Sequence, residues 1–366
     1  MKRDIGIGVI GLGFIGQCAS KICNSLPGVT VVGVVNKSHK KGQNFARQLN
    51  TYYYKTIDEL LERDDLDGII VATPNNIHRD FVVKACKSGK HVFVEKPMAL
   101  SVKDCNDMID AAKQAGVILM VGHIMRFFEG LKVTKEIVET NKIGKPMVAH
   151  CERTGWEYKQ ESVSWKTKQA KSGGHLFHHI HEIDILRWLF GEVDKVYCLA
   201  DNLGHTGPAF GDEDDVILLS IRFKNGVLAT MHYGSGFKFG DHFIRVSGDL
   251  GGILVSFKKS SVKIISEDES DKEIPLFKDD ESQRSIKNLF KAKDLGIVYG
   301  APDDEPPFYL SNALKDEIVY WIDVMRGAKV SSDMKPIMDG TAGRDAVKIA
   351  EAAIKSAVTG KVVQVD

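Results

Sequence analysis

Through the first third of the chain, apolar residues come in short unbroken runs separated by stretches with helical spacing. The runs "IGIGVI" (5–10), "VTVVGVV" (29–35), "LDGIIVA" (66–72), "KHVFVE" (90–95) and "GVILMVG" (116–122) read as strands. Helices are predicted near 15–25, 39–49, 57–63, 76–88 and 101–114, the last opened by Ser101 with Asp104 three positions on, close to a capping box. A strand that is apolar at nearly every position is buried on both faces, as in a parallel sheet between helices. After about residue 123 the pattern changes. A helix near 129–140 and another near 175–190 are followed by runs in which apolar and polar residues alternate, among them "VILLSIRF", "GVLATMHYG" and "SVKIIS". These predict a large, mainly antiparallel sheet with one face against helices. Residues 267–308 are charged and weakly patterned and read as an exposed insertion, and two helices near 309–327 and 339–359 close the chain. The expected fold class is α/β. A Rossmann-type doubly wound parallel sheet spans residues 1–123, and an α+β domain built on a large, mainly antiparallel open sheet spans 124–366, with a C-terminal helix that can pack back on the first domain.

Length and composition narrow the function. With 366 residues, 43% of them hydrophobic, the chain can bury two cores. Lys+Arg and Asp+Glu both total 49, so no global field draws nucleic acid or a membrane surface, and the expected partner is a small molecule. The six cysteines are dispersed without a C-x-x-C pair, which predicts neither a disulfide framework nor a zinc site and fits free thiols in the cytoplasm. Met1-Lys2-Arg3 before an apolar run superficially resembles a leader, but Asp4 and repeated glycines interrupt it, so it reads as the first strand. No run approaches the roughly 18 apolar residues of a membrane span.

Directly after that strand, "GLGFIG" sets Gly11, Gly13 and Gly16 in G-x-G-x-x-G spacing, with Phe14 and Ile15 opening a helix. The first glycine permits a tight turn, the second lets a pyrophosphate approach the backbone, and the third lets helix and strand pack closely. Free N–H groups at the helix start then meet the phosphate charge. About 20 residues further on, where an acid usually accepts the ribose 2′-hydroxyl of NAD, stands Asn36, followed by Lys37 and Ser38. An amide can still bond that hydroxyl and does not repel a 2′-phosphate, so NAD is favoured and NADP stays open. Thr73, Pro74, Asn75 and His78 in "ATPNNIH", and Glu95, Lys96 and Pro97 in "FVEKPMA", fall just past two further strands, on the edge where doubly wound sheets bind ligands.

The stretch "SGGHLFHHIHEIDILRWLFG" places His175, His178, His179 and His181 within seven residues. Histidines three apart can ligate zinc, but the H-E-x-x-H order is absent and no cysteine joins them, so no metal is expected. Upstream, Trp156, Tyr158, Trp165, Lys166 and Lys168 offer aromatic faces and cations to a ring-shaped substrate. Arg126, Tyr233 and His242 are further candidates to line the cleft.

Together, "GLGFIG", "ATPNNIH", "HVFVEKPMA" and "HIHEIDILRWL" resemble the Gfo/Idh/MocA family of oxidoreductases, and the resemblance covers nearly the whole chain. It implies hydride transfer between nicotinamide and a sugar, polyol or related carbonyl, and a homo-oligomer formed through the open sheet of the C-terminal domain. It assigns Lys96 to a place between nicotinamide and substrate, and His181, with Asp184 as its matching aspartate, to the same substrate carbon. The chemistry needs such a pair: a base must take the hydroxyl proton while a cation stabilises the growing alkoxide. Proton transfer falls mainly to His181 and alkoxide stabilisation to Lys96. In one respect the chain departs from the pattern. Inositol-dehydrogenase-like members carry an acid four positions before this histidine, where this chain has Phe177, so His178 becomes the candidate to contact the same hydroxyl, with His175 and His179 as substrate contacts. The expected activity is NAD(P)-dependent oxidation of a ring hydroxyl of a sugar or glycoside, such as C3 of a glucosyl unit. Inositol or another polyol, an NAD-assisted glycosidase, and a non-catalytic nucleotide sensor are the alternatives.

Overall fold

In a computed structural model of the chain, residues 3–159, 163–267, 270–292 and 306–366 are described. They form two compact units. Of the described residues, one comprises 3–123, 306 and 314–347, and the other 124–159, 163–267, 270–292, 307–313 and 348–366.

The first unit holds strands β1 (Ile5–Ile10), β2 (Val29–Val35), β3 (Tyr53–Tyr54), β4 (Gly68–Val71), β5 (His91–Glu95) and β6 (Leu119–Gly122). All pair in parallel, in the order β3-β2-β1-β4-β5-β6. This is the doubly wound Rossmann arrangement that the unbroken apolar runs predict; β4 is buried along its whole length because helices cover both faces. The two-residue β3 was not predicted. The Ser101 cap is present, with its hydroxyl accepting from Asp104 N–H at 3.0 Å.

The second unit holds β7 (Pro146–Thr154), β8 (Val193–Asp201), β9 (Val216–Phe223), β10 (Leu228–Gly234), β11 (His242–Gly248), β12 (Gly251–Ser256), β13 (Ser261–Ser266), β14 (Lys272–Pro275) and β15 (Val363–Gln364). They form one sheet in the order β14-β13-β12-β11-β7-β10-β9-β8-β15, antiparallel except where β7 and β10 run parallel. Strand β9 alternates buried and exposed residues, so one face meets the core. The other face leaves Val148, Leu199, Leu218, Leu228 and Ile265 exposed.

Two expectations need correction. Residues 272–292 are not a structureless insertion: β14 adds to β13, and a helix follows at Asp280–Ala292, capped by Asp279 accepting from Ser282 N–H at 2.7 Å. Leu276 and Phe277 supply the buried anchor, the latter ring 4.7 Å from Phe128. Two apolar residues in a charged stretch leave no periodic signal. Residues 293–305 of that stretch lie outside the described residues. Second, the helix expected over 175–190 is two segments, His175–His178 and His181–Phe190, with His179 non-helical between them (φ −107°, ψ 39°). His178 and His181 therefore do not share one helical face.

Arg126, expected to face substrate, is instead spent within the fold. It donates to Asp184 from Nε at 2.8 Å and Nη2 at 2.6 Å, and both side chains are 1% exposed. The pair ties the 3₁₀ turn Ile124–Phe127 to the helix His181–Phe190. Removing one partner strands a charge away from water, so Asp184→Ala should lower stability by about 3–5 kcal/mol in urea unfolding. The double change Arg126→Met with Asp184→Leu should recover most of that loss. Equal losses in the two variants would show that the pair is not the source.

Candidate active site

The nucleotide-facing features sit at the carboxyl edge of the first sheet. Gly11 turns with φ +90°, and a Cβ on Gly16 would meet the Gly11 carbonyl oxygen at 1.8 Å, so the turn and helix Phe14–Ser25 need both glycines. A Cβ on Gly13 would meet nothing within 4 Å. No side chain caps the helix and its first turn carries no acid, which leaves its N-terminal dipole for an anionic group. These residues fit a dinucleotide pyrophosphate. Asn36, at the end of β2, accepts from Leu12 N–H at 3.1 Å and donates to the Ser38 carbonyl at 3.1 Å, bracing the glycine turn. Lys37 and Ser38 are exposed beside it.

Past β4 come Thr73, Pro74 and Asn75; Glu95 ends β5 and Lys96 and Pro97 follow it, with the Lys96–Pro97 peptide cis. His78 is fully buried between these turns, Nε2 lying 2.9 Å from the Thr73 carbonyl oxygen and Nδ1 3.0 Å from that of Pro97. Its ring is taken up in clasping the two turns. It was expected as a nucleotide contact, and its geometry is that of a support. Burial pushes the Glu95 carboxyl up to about 7, against the pull of the Lys96 ammonium.

In the second unit the histidines form a packed ladder. Trp165 meets His178 edge-on at 6.3 Å, His178 meets His179 at 4.9 Å, and His179 stacks on His175 at 5.4 Å. His175 is 1% exposed, with Nε2 3.4 Å from Ser235 Oγ and 3.5 Å from Glu213 Oε1, and no hydrogen-bond partner at Nδ1. Burial, then the nearby Arg153 charge, push its pKa down to about 3, so it is neutral across the physiological range. Phe177, at the position of the acid expected from the family pattern, is core. His181 and His178 are half-buried.

Trp156 lies 4.5 Å from the His205 ring, with Lys238 Nζ 3.2 Å from its own ring centroid. His205 is held by Asp215 at 2.8 Å and by the Glu157 carbonyl at 2.9 Å. Tyr158 and Lys168 are exposed and Lys166 is half-buried; residues 160–162 lie outside the described residues.

The sequence reading overlooked Glu182, the residue after His181. Its side chain is fully buried and accepts from His242 Nε2 at 2.8 Å, from Arg153 Nη1 at 3.1 Å and from the Tyr233 hydroxyl. The same hydroxyl lies 2.8 Å from the His179 carbonyl oxygen, where the helix breaks. Burial works against the charge of Glu182, but Arg153 and the His242 bond outweigh it and hold the carboxyl well below its usual range. Tyr233 and His242, expected to line the cleft, are thus committed to this carboxylate, His242 also stacking on Phe257 at 3.8 Å. A signal was present: two acids in a helix whose other faces read Ile183, Ile185, Leu186, Leu189 and Phe190 must be buried, and buried acids require partners.

Comparison with known proteins agrees with the two-part fold. Residues 5–123 match the oxidoreductase family with NAD-binding Rossmann fold, and residues 135–365 match its C-terminal alpha/beta domain. The 2,7-anhydro-N-acetylneuraminate hydratase of Escherichia coli strain K12 is 36% identical over 354 residues, 96% of this chain and 95% of that protein. The protein of the same name from Mediterraneibacter gnavus is 33% identical over 359 residues, 97% and 95% of the two chains. Among solved structures, levoglucosan dehydrogenase in complex with NADH and L-sorbose shares the fold over the full length of both chains, with a TM-score of 0.79 at 20% identity.

Because its folded-state pKa lies below its unfolded value, Glu182 contributes stability above about pH 4.5 and loses it as pH falls further. Glu182→Gln should therefore cost about 3 kcal/mol in denaturant unfolding at pH 7. The deficit should narrow as pH drops below about 4.5. A deficit independent of pH would mean that the carboxylate charge is not what the network holds.

Proposed function

Since the chain belongs to the Gfo/Idh/MocA family of NAD-binding oxidoreductases, we propose that it works on a ring hydroxyl of a sugar-type substrate and that its net reaction is redox-neutral. The substrate class is an anhydro sugar acid resembling 2,7-anhydro-N-acetylneuraminate, and the product is its hydrated, ring-opened form. The observation that carries this reading is near-full-length identity of 36% and 33% to two proteins named as hydratases of that compound.

The nicotinamide of bound NAD supplies a place for hydride to be parked and returned. The chain's own groups do the rest. Gly11, Gly13 and Gly16 seat the pyrophosphate with the backbone of Phe14 and Ile15 at the helix start. Asn36 faces the ribose in place of an acid, and Thr73, Pro74, Asn75, Glu95 and Pro97 shape the nicotinamide side. Lys96 stabilises the oxygen as negative charge grows on it, and His181 takes the hydroxyl proton. A ketone acidifies the neighbouring C–H, so an ether bridge one carbon further on can leave by elimination, and water can add at the same carbon. That sequence needs a second proton carrier beside His181. His178 fits the task, whereas His175, neutral down to about pH 3, serves as a hydrogen-bond acceptor. In this reading Trp165 and His179 bound the ring, and Lys166 meets the substrate carboxylate.

We also propose that a second copy of this chain covers the open face of the second sheet, because Val148, Leu199, Leu218 and Leu228 form an exposed apolar surface there. Sedimentation should give a dimer or larger species at micromolar concentration, and a monomer would refute this.

Incubated with 2,7-anhydro-N-acetylneuraminate and a trace of NAD, the protein should release N-acetylneuraminate without accumulating NADH, and ¹⁸O from labelled water should enter the product. Lys96→Met and His181→Ala should each reduce turnover by about 10²-fold or more while leaving NAD binding intact. NADH formed in step with oxidation of a sugar, glycoside or inositol, with no bond cleavage, would establish a plain dehydrogenase instead.

A further inference from the structure

The open face of the second sheet carries a polar cluster that the proposed reaction does not use. His150 and Glu152 on β7 occupy that face, and the parallel register sets Thr230 beside His150 and His232 beside Glu152 on β10. All three cluster residues are half-buried. One donor atom from each lies within 4.8 Å of the others, and His150 Nε2 stands 3.9 Å from Glu152 Oε2. The two imidazole centroids are 4.8 Å apart.

The remaining polar atoms of two of these residues are already engaged from behind. His150 Nδ1 lies 2.7 Å from Thr230 Oγ1, which leaves Nε2 for another partner. Glu152 Oε1 accepts from the Thr154 hydroxyl at 2.6 Å, and that hydroxyl in turn accepts from Asp241 N–H at 2.9 Å, which leaves Oε2. Outer partners of this kind fix the tautomer and the aim of metal-ligating side chains.

We propose that His150, Glu152 and His232 bind one divalent transition-metal ion of the zinc type. Two imidazole nitrogens and one carboxylate oxygen are a common zinc set, with bonds of about 2.0–2.2 Å that bring tetrahedral donor atoms to roughly 3.4 Å apart. The cluster is wider than that by up to about 1.4 Å, a distance that side-chain rotation on two hydrogen-bonded strands can close. The Phe243 ring, 5.4 Å from His150, walls one side. Arg245 pairs with His150 across β11 and opposes the ion's charge, but its guanidinium lies over the Phe243 ring at 5.3 Å. The fourth position opens onto the face that a second copy is proposed to cover, and takes a water enclosed there. This site is independent of the nucleotide and of the substrate reading.

Untagged full-length protein, stripped with a chelator and dialysed, should bind one Zn²⁺ per chain when titrated by calorimetry and counted by metal analysis after desalting. Co²⁺ in its place should give the visible absorption of a tetrahedral site. Glu152→Gln and His232→Ala should each weaken binding at least tenfold, and His150→Ala with His232→Ala should abolish it, with circular dichroism and thermal midpoint confirming that the variants fold. Undiminished binding in the double variant would place the ion elsewhere, and no saturable binding by the wild-type protein would remove the site altogether.

Discussion

A carboxylate shut away from water must be answered by positive charge and by hydrogen-bond donors, or the helix that carries it cannot dock. Glu182 meets this requirement with Arg153 from β7, Tyr233 from β10 and His242 from β11. Three adjacent strands thereby fix one helical turn, and the residue immediately before Glu182 is His181. The break at His179 belongs to the same arrangement, since its carbonyl turns towards the hydroxyl that serves Glu182. One residue pair further along, Arg126 and Asp184 repeat the device on the other side of the helix. The position of the histidine helix is thus set by two buried acids as much as by its apolar face.

How much of this the sequence disclosed follows from the range over which each feature is encoded. Strands β1, β2 and β5 declare themselves locally, because burial on both faces writes an unbroken apolar run, and the glycine turn declares itself because only glycine tolerates the backbone at Gly11 and the contact at Gly16. The Rossmann part of the fold was legible on that basis, and the family through the resemblance carried by "GLGFIG", "ATPNNIH", "HVFVEKPMA" and "HIHEIDILRWL". The two-residue β3, the β14 edge and the helix after it were not, since each depends on partners distant in the chain and spans too few residues to show a period. Helical spacing likewise predicted one helix over 175–190; the break at His179 places its carbonyl oxygen 2.8 Å from a tyrosine hydroxyl 54 residues away, which no local pattern records.

Polar residues were read less well than apolar ones. Arg126, Tyr233 and His242 have the right chemistry for a cleft, and composition cannot distinguish a side chain that faces substrate from one that balances a buried acid. Asp184 and Glu182 were visible as letters, but their demand for partners was not pursued. The departure at Phe177 gains meaning from this. The chain does hold an acid close to His181, one residue after it rather than four before, and that acid is bound into the scaffold with its charge already neutralised.

The His78 clasp has a further consequence. An imidazole is a rigid ring, and its two nitrogens stand 2.9 and 3.0 Å from carbonyls on different turns. Burial keeps the ring neutral, so it donates to one of these carbonyls and spaces the other across a rigid ring. The turn that bears Lys96 is thus tied to the neighbouring strand end through a ring that cannot change length, as a spacer block holds a setting.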